Sequence, residues 1–146
     1  MEIIKMDLHH VEQVALIEQA CFSDPWSEKS IASEITNPLS MWFVALDGDR
    51  VIGYIGSQSV LGEADIMNVA VSEEFRGKGI GEKLVVSLID GLKEKAVYRL
   101  TLEVRVSNTP AIKLYEKLGF VQIGRRPNYY YHPKEDALIM GKELLT

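Results

Sequence analysis

The sequence predicts an α+β domain in which helices flank a mixed central sheet. Up to residue 71 the strand pattern is antiparallel, with tight turn signals between successive strands. Beyond that point it changes to a glycine-rich loop, a helix, a strand, a second helix and further strands. The 146 residues are enough for one domain with a substantial core, so we expect a single domain over residues 1–146.

The first half of the chain carries two predicted helices. Asp7 can cap a helix that runs to about Cys21, and Ser27 can cap a second helix that ends before Pro38. Asp47 to Arg50, read as Asp-Gly-Asp-Arg, is a hairpin turn signal between two apolar segments. The predicted strands of this half are residues 2–6, 41–46, 51–59 and 64–71.

The second half follows a different pattern. An apolar stripe begins at Ile80 and predicts a helix that ends near Glu94 and packs on the sheet. Asn108 is the predicted cap of a short helix, which has proline in its first turn and stops at Gly119. Residues 99–104 are a predicted strand, and residues 120–131 and 137–144 are predicted to complete the sheet as an antiparallel pair.

Composition excludes several classes of protein. One cysteine cannot form an intramolecular disulfide, and the three histidines have no cysteine cluster beside them, so we expect no metal site and a reducing compartment. The N-terminus lacks a basic segment ahead of an apolar stretch, and no apolar run approaches the roughly 20 residues that span a bilayer. These features predict a soluble cytoplasmic protein with no membrane partner.

Charge is unevenly distributed along the chain. Residues 1–75 hold 3 basic and 13 acidic residues, a net charge of −10, whereas residues 76–126 hold 11 basic and 5 acidic residues, a net charge of +6. Such a pattern is typical of solvated faces on a mixed surface. It also fits a polyanionic ligand on the middle segment and a cationic partner on the acidic one. The overall charge of −5 argues against direct binding of nucleic acid.

The segment Arg76 to Gly81, read as Arg-Gly-Lys-Gly-Ile-Gly, lies where a strand leads into a helix. Three alternate glycines let backbone N–H groups converge, and the positive end of the helix dipole favours an anion, so the segment can hold a pyrophosphate. The spacing matches neither the P-loop nor the dinucleotide-binding fingerprint. A flexible connection is the alternative interpretation.

Glu103 and Tyr115 are two further candidate site residues. Glu103 lies near the end of a predicted central strand, where a carboxylate is costly unless a cleft solvates it or a cation such as Arg99 or Arg105 pairs with it. Tyr115 lies on the buried face of the short helix, where a core aromatic is the simplest interpretation. Neither residue identifies a function by itself.

Together, these segments resemble the GNAT acetyltransferase superfamily and, within it, the bacterial ribosomal-protein-alanine N-acetyltransferase family. The order of the glycine loop, Glu103 and Asn108 is similar to that of the superfamily, as is the segment Tyr115 to Phe120. Leu102-Glu103-Val104-Arg105 and the later Asn128-Tyr129-Tyr130 segment are similar to the narrower family. The resemblance covers nearly the whole chain.

The resemblance implies the GNAT acyl-CoA N-acyltransferase fold, with acetyl-CoA as co-substrate in a V between splayed strands. It implies that Glu103 is the general base, acting through water, and that Tyr115 is the general acid. It further implies that Phe22 to Trp26 and at least one of Tyr129 and Tyr130 line the acceptor groove. The implied acetyl-CoA-binding residues are Val69, Ala70, Val71, Arg76, Gly77, Lys78, Gly79, Ile80, Gly81, Glu82 and Asn108.

The implied acceptor is the α-amino group of a protein, most simply a small-subunit ribosomal protein that begins with alanine. Two alternatives remain at this point. One is a GNAT enzyme that acetylates lysine or a small amine, and the other is a non-catalytic CoA-binding module. The presence of Glu103 and Tyr115 beside the glycine loop argues against the second.

Overall fold

The computed structural model describes residues 1–145, so Thr146, the last residue of the predicted domain, lies outside the described residues. The described chain forms a seven-stranded sheet with the order β1-β2-β3-β4-β5-β7-β6. All neighbouring strands are antiparallel except β4 and β5, which are parallel. The strands are β1 (Glu2–Lys5), β2 (Ser40–Asp47), β3 (Arg50–Val60), β4 (Glu63–Val71), β5 (Arg99–Arg105), β6 (Val121–Tyr131) and β7 (Lys134–Glu143).

Local capping signals define the helices, which are α1 (Val11–Cys21), α2 (Glu28–Ile35), α3 (Ile80–Glu94) and α4 (Thr109–Lys117). The Ser27 side chain accepts a hydrogen bond from the Ser30 N–H at the start of α2, and Asn108 accepts one from the Ala111 N–H at the start of α4. Both predicted caps are confirmed. The Asp7 cap is also confirmed, but it begins a 3₁₀ turn over Leu8–His10 that leads into α1.

Two hydrophobic cores cover the two faces of the sheet. One face packs against α3 and α4, and we call it the α3 face; its fully buried residues include Ile55, Leu84 and Leu88. The opposite face packs against α1 and α2, and we call it the α1 face; Val14, Ile31 and Val44 are fully buried there. The sheet is therefore the middle layer of three, and a residue on a strand faces one helix pair or the other.

The parallel pair β4 and β5 is joined over only part of its length. The two strands pair from Glu63 to Asp65 on β4 and from Arg99 to Thr101 on β5, and no pairing continues beyond Thr101. The register between β3 and β4 also shifts at Gly56/Ser57, which leaves Met67 as an extra residue on β4. The strands consequently separate, and a gap opens between residues 66–71 of β4 and residues 102–105 of β5.

The strand β6 at the edge of the sheet is less regular than predicted. Its pairing with β7 is interrupted between Arg126 and Tyr130, where Asn128 has a φ of 54°. Pro127 lies in this interruption, and a proline is tolerated there because an irregular edge strand does not need every N–H donor. The irregularity directs Tyr129 and Tyr130 differently, so that Tyr129 is exposed and Tyr130 is half-buried.

Candidate active site

The gap between β4 and β5 is the centre of the candidate active site. Residues 66–71 of β4 pair with β3 on one side only, so the backbone groups on the other side have no strand opposite them. Val69 and Val71 pack on the α3 face, whereas Ala70 belongs to the α1 face. Val69, Ala70 and Val71, which are predicted to bind acetyl-CoA, therefore border the gap. Their backbone groups on that side have no partner strand.

The glycine loop lies at the end of β4 and leads into α3. Gly77 and Gly79 both have a φ of 78°, and a Cβ atom added to either would meet no protein atom within 4 Å. Gly79 is the N-cap residue of α3, and no side chain caps this end of the helix. The first-turn N–H groups and the open space above them therefore suit an anion.

Two cations lie in the glycine loop, and both make contacts within the protein. The Arg76 guanidinium donates hydrogen bonds from Nε to the Val71 carbonyl oxygen at 3.0 Å and from Nη2 to Cys21 Sγ at 3.3 Å. Lys78 Nζ lies 5.3 Å from the centre of the Phe75 ring. Both side chains remain exposed, so these contacts orient the charges without removing them from solvent.

The remaining predicted acetyl-CoA residues connect the loop to α3 and α4. Ile80 is buried in the core and Gly81 is half-buried in the first turn of α3. Glu82 forms an ion pair with Lys117 at 2.8 Å, which joins the start of α3 to the end of α4. Asn108 uses its Oδ1 atom in the helix cap, which leaves its amide nitrogen available to donate to a ligand.

Glu103 lies on β5, two residues beyond the last residue that pairs with β4. Its neighbours Leu102 and Val104 are buried on the α3 face, so the alternation of the strand directs Glu103 to the α1 face. Its carboxylate lies 3.4 Å from Arg126 Nε, and its side chain is 28% exposed. The cation that pairs with Glu103 is thus Arg126 on β6, and not Arg99 or Arg105, which sequence reasoning had considered.

Tyr115 lies on α4, on the α3 face of the sheet. Its ring packs edge-on against Phe120 with 5.5 Å between the ring centroids, and the residue is 5% exposed. Burial raises the pKa of Tyr115 to about 12, and the neighbouring Tyr130 adds to this shift. The hydroxyl group therefore remains protonated at neutral pH, as a proton donor must.

Tyr130 is a half-buried tyrosine on β6 that lies near Arg105. Burial raises the pKa of Tyr130 to about 12, with further contributions from Tyr129 and Glu103. The Arg105 guanidinium lies 4.2 Å from the centre of its ring. The ring of Tyr130 thus lies against the guanidinium of Arg105, which also forms an ion pair with Glu135.

Sequence reasoning missed a buried carboxylate close to this gap. Glu18 on α1 is 1% exposed and accepts hydrogen bonds from Tyr54 on β3 and from Asn68 on β4. The helical periodicity could place Glu18 only on the inner face of α1, because its partners are 36 and 50 residues away along the chain.

Two further findings concern membrane-spanning helices and groups of metal ligands. Within residues 1–145, no helix combines the length and the apolar composition needed to cross a bilayer. The same residues bring together no group of three histidine, cysteine, aspartate or glutamate side chains with the arrangement of a metal site.

The gap between β4 and β5 lies next to the glycine loop and the uncapped start of α3, which suit an anion. Residues 11–120 match the profile of the acetyltransferase (GNAT) family, and the chain therefore belongs to this family. Members of the family are enzymes that use acetyl-CoA as the acyl donor.

The comparisons also identify similar individual proteins. The ribosomal protein bS18-alanine N-acetyltransferase of Escherichia coli is 40% identical over 127 residues, which cover 86% of this chain and 85% of that protein. The crystal structure of the ribosomal-protein-S18-alanine N-acetyltransferase from Escherichia coli superposes with a TM-score of 0.91 at 35% identity and covers 99% of this chain and 94% of that one.

A chain of the NatC complex has a similar structure. The crystal structure of the NatC complex bound to Gag peptide and CoA contains a chain with a TM-score of 0.84 and 26% identity, and the match covers 99% of this chain and 100% of that one. The predicted GNAT fold and the resemblance to the ribosomal-protein-alanine N-acetyltransferases are both confirmed by these comparisons.

Proposed function

We propose that this protein transfers the acetyl group of acetyl-CoA to the α-amino group of an N-terminal alanine, and that the acceptor is a small-subunit ribosomal protein. The observation that carries the proposal is the gap between β4 and β5, with Glu103 next to it on the α1 face and Tyr115 in the core cluster of the α3 face, against which Val69 and Val71 pack. The name of the Escherichia coli relative, which specifies ribosomal protein bS18 and alanine, supports the acceptor. Such a substrate fits the predicted cytoplasmic location.

The acyl donor occupies the α3 face in this proposal. The pyrophosphate of acetyl-CoA binds the glycine loop and the first turn of α3, where Gly77 and Gly79 leave open space. The pantetheine arm pairs with the free edge of β4 at Val69 to Val71, and the Asn108 amide donates to it. A backbone N–H near Val69 polarises the thioester carbonyl and stabilises the oxyanion.

The acceptor amine enters from the α1 face. Its nitrogen attacks the thioester carbon, a C–N bond forms, and the C–S bond then breaks. Glu103 takes the proton of the amine through a water molecule, and Tyr115 donates its proton to the departing thiolate. A base on one face and an acid on the other match the two directions from which the acceptor and the donor enter.

An α-amino group suits a base of this kind. Its ordinary pKa is about 7.7–8.0, whereas that of lysine is about 10.4, so a far larger fraction of the α-amine is neutral near pH 7. A carboxylate acting through water is therefore a strong enough base for an α-amine. A lysine acceptor would require stronger desolvation or a more basic partner.

The charge distribution supports a basic peptide as the acceptor. Both helices of the α1 face, α1 and α2, belong to the acidic segment of residues 1–75, which has a net charge of −10. Complementary charge increases the rate at which a cationic peptide associates with this face. A small free amine would gain little from it.

The decisive experiment compares two peptides of identical basic sequence that begin with alanine, one with a free α-amine and one with that amine blocked. We expect acetylation of the free peptide only, although both contain lysines, and mass spectrometry locates the acetyl group. Equal acetylation of the blocked peptide would contradict the acceptor assignment, and no thiol release with either peptide would favour a non-catalytic CoA-binding module.

A second arm of the experiment tests the base. Glu103→Gln should slow turnover most at low pH, because fewer acceptor amines are neutral below a pKa of about 8 and each one then depends more on the base. The ratio of wild-type to variant turnover is measured from pH 6.5 to pH 9. A ratio that does not change with pH would remove Glu103 from the role of base.

A further inference from the structure

Glu18 is a buried acidic side chain that the mechanism above does not use. It is 1% exposed, and none of the ion pairs found within residues 1–145 involves it. Burying a carboxylate costs free energy unless hydrogen-bond donors surround it. Because Glu18 lies on the apolar face of α1, its carboxylate must be stabilised by hydrogen bonds from the protein.

Three donors surround the Glu18 carboxylate. Its Oε2 atom accepts a hydrogen bond from the Trp26 backbone N–H at 2.9 Å, and its Oε1 atom accepts one from the Tyr54 hydroxyl. The Asn68 amide nitrogen lies 3.0 Å from each of the two oxygens. The hydrogen bond from Tyr54 and burial together raise the pKa of Tyr54 well above its ordinary value, so this tyrosine remains a donor.

The three donors belong to three separate parts of the chain, two of which border the proposed reaction. Trp26 lies in the loop of residues 22–27 between α1 and α2. The family resemblance implies that Phe22 to Trp26 line the acceptor groove, so we call this segment the acceptor loop. Asn68 lies on β4 directly after the extra residue Met67 and directly before Val69, within the stretch that borders the gap. One carboxylate therefore holds the acceptor loop and the acyl-donor strand at a fixed separation.

We propose that Glu18 is a positioning residue that sets the distance between the acceptor amine and the thioester. This inference rests on the proposed function, because it takes loop 22–27 as the acceptor side and β4 as the donor side. A misplacement of the reacting groups by about 1 Å can lower a rate about 100-fold. A single bridge between the two sides is therefore sufficient to affect turnover strongly.

The chemistry of the bridge requires a carboxylate. All three partners donate, and an ionised carboxylate accepts at both oxygens without donating. A glutamine at position 18 has one oxygen, and its NH₂ group would face at least one donor. The Asn68 amide nitrogen lies 3.0 Å from both oxygen positions, so the NH₂ group of the introduced glutamine would face this donor in either orientation. We therefore expect Glu18→Gln to loosen the whole group of contacts, including the bond from the Trp26 N–H.

The chain offers a matched control in Glu34 on α2. It is also buried, at 6% exposure, and it accepts hydrogen bonds from Trp42 Nε1 at 3.3 Å and from Gln58 Nε2 at 2.7 Å. These bonds connect α2 to β2 and β3, and involve neither loop 22–27 nor β4. Glu34→Gln therefore changes a comparable buried carboxylate and removes none of the donors or acceptors of the Glu18 hydrogen bonds.

The experiment measures three quantities in the wild type, Glu18→Gln and Glu34→Gln. Hydrogen exchange reports the protection of the Trp26 amide, calorimetry reports the affinity for acetyl-CoA, and initial rates with the alanine-initiated basic peptide report kcat/KM. For Glu18→Gln we expect faster exchange at Trp26, an acetyl-CoA affinity within about threefold of wild type, and a kcat/KM about 10- to 100-fold lower. Glu34→Gln should leave the exchange at Trp26 unchanged and alter kcat/KM by less than about threefold.

The results separate the inference from the proposed function. Unchanged exchange at Trp26 in Glu18→Gln, or equal losses of kcat/KM in the two variants, would overturn the positioning role. A wild-type protein that does not acetylate the peptide would overturn the proposed function, and with it the catalytic meaning of the bridge, even where the exchange confirms the contact. If Glu18→Gln does not fold, Asn68→Ala takes its place, because it removes the β4 end of the bridge; unchanged kcat/KM in that variant overturns the inference.

Discussion

At the scale of single residues, the two side chains proposed to move protons are held by different kinds of contact. Glu103 is held by an ion pair with Arg126, whose side chain is 54% exposed, and such pairs contribute only about 0–1 kcal/mol to stability. Tyr115 is held by packing in the core. A large loss of turnover in Glu103→Gln would therefore reflect the loss of the base and not a loss of stability. A substitution at Tyr115 must keep the aromatic ring, because the ring is part of the core.

Tyr115→Phe meets that requirement. It keeps the ring that packs on Phe120 and removes only the hydroxyl group. If Tyr115 protonates the departing thiolate, turnover should fall by about 10²- to 10⁴-fold, which is the usual contribution of a general acid. The release of CoA thiol measures this directly.

A control for the loss of a hydroxyl group is available at Tyr98. This residue is 41% exposed and contacts Gly62 at the opposite end of β5 from Glu103, so Tyr98→Phe should leave turnover unchanged. Wild-type turnover by folded Tyr115→Phe would return Tyr115 to the role of a core aromatic.

At the scale of elements, the start of α3 is shaped by backbone conformation more than by side chains. A φ of 78° at Gly79 directs the chain into the helix and exposes its first N–H groups. An L-residue in this conformation costs roughly 1–2 kcal/mol. A substitution at Gly79 therefore has two effects, backbone strain and obstruction of the anion site, and they must be separated.

Gly48, in the turn between β2 and β3, allows this separation. It has a φ of 62° and, like Gly79, open space around an added Cβ atom. Gly79→Ala and Gly48→Ala should lower the melting temperature by similar amounts. Only Gly79→Ala should weaken acetyl-CoA binding, by about tenfold, which corresponds to roughly 1.4 kcal/mol.

Calorimetry with acetyl-CoA decides between the two effects. Equal affinities in folded Gly79→Ala and Gly48→Ala would show that the loop only connects β4 to α3. That result would favour the alternative interpretation of the glycines as a flexible connection.

At the scale of the whole molecule, buried tyrosines link stability to alkaline pH. The pKa of Tyr115 and that of Tyr130 are both raised to about 12 by burial, and the pKa of Tyr54 is raised as well. A raised pKa in the folded state means that the folded protein retains the proton when the unfolded chain has lost it. The stability from Tyr115 and Tyr130 is therefore complete below pH 10 and is lost as the pH rises from 10 to 12.

Urea unfolding between pH 9 and pH 12 tests this linkage. The share of Tyr115 is on the order of 2–3 kcal/mol, because one pKa unit corresponds to about 1.4 kcal/mol. The free energy of unfolding should fall with pH above 10 in the wild type and less steeply in Tyr115→Phe. Parallel curves for the two proteins would contradict the buried state of this hydroxyl group.

The sequence predicted the elements of the fold well because their signals are local. The cap residues Ser27 and Asn108, the turn from Asp47 to Arg50 and the apolar stripe of α3 each lie within a few residues of the structure they specify. The resemblance that identified the family depends on similarly compact motifs. The glycine loop could be assigned to an anion for the same reason, since its conformation is a property of six consecutive residues.

Tertiary structure alone decided how those elements form a site. The insertion of β7 between β5 and β6 and the separation of β4 from β5 depend on pairing between distant strands, which no local signal reports. The Glu103 carboxylate pairs with Arg126, 23 positions later in the sequence, and Glu18 bonds to Asn68, 50 positions later. A periodic pattern can predict which face of a helix or strand is buried, but the partner of a buried charge is determined only when the sheet brings distant residues together.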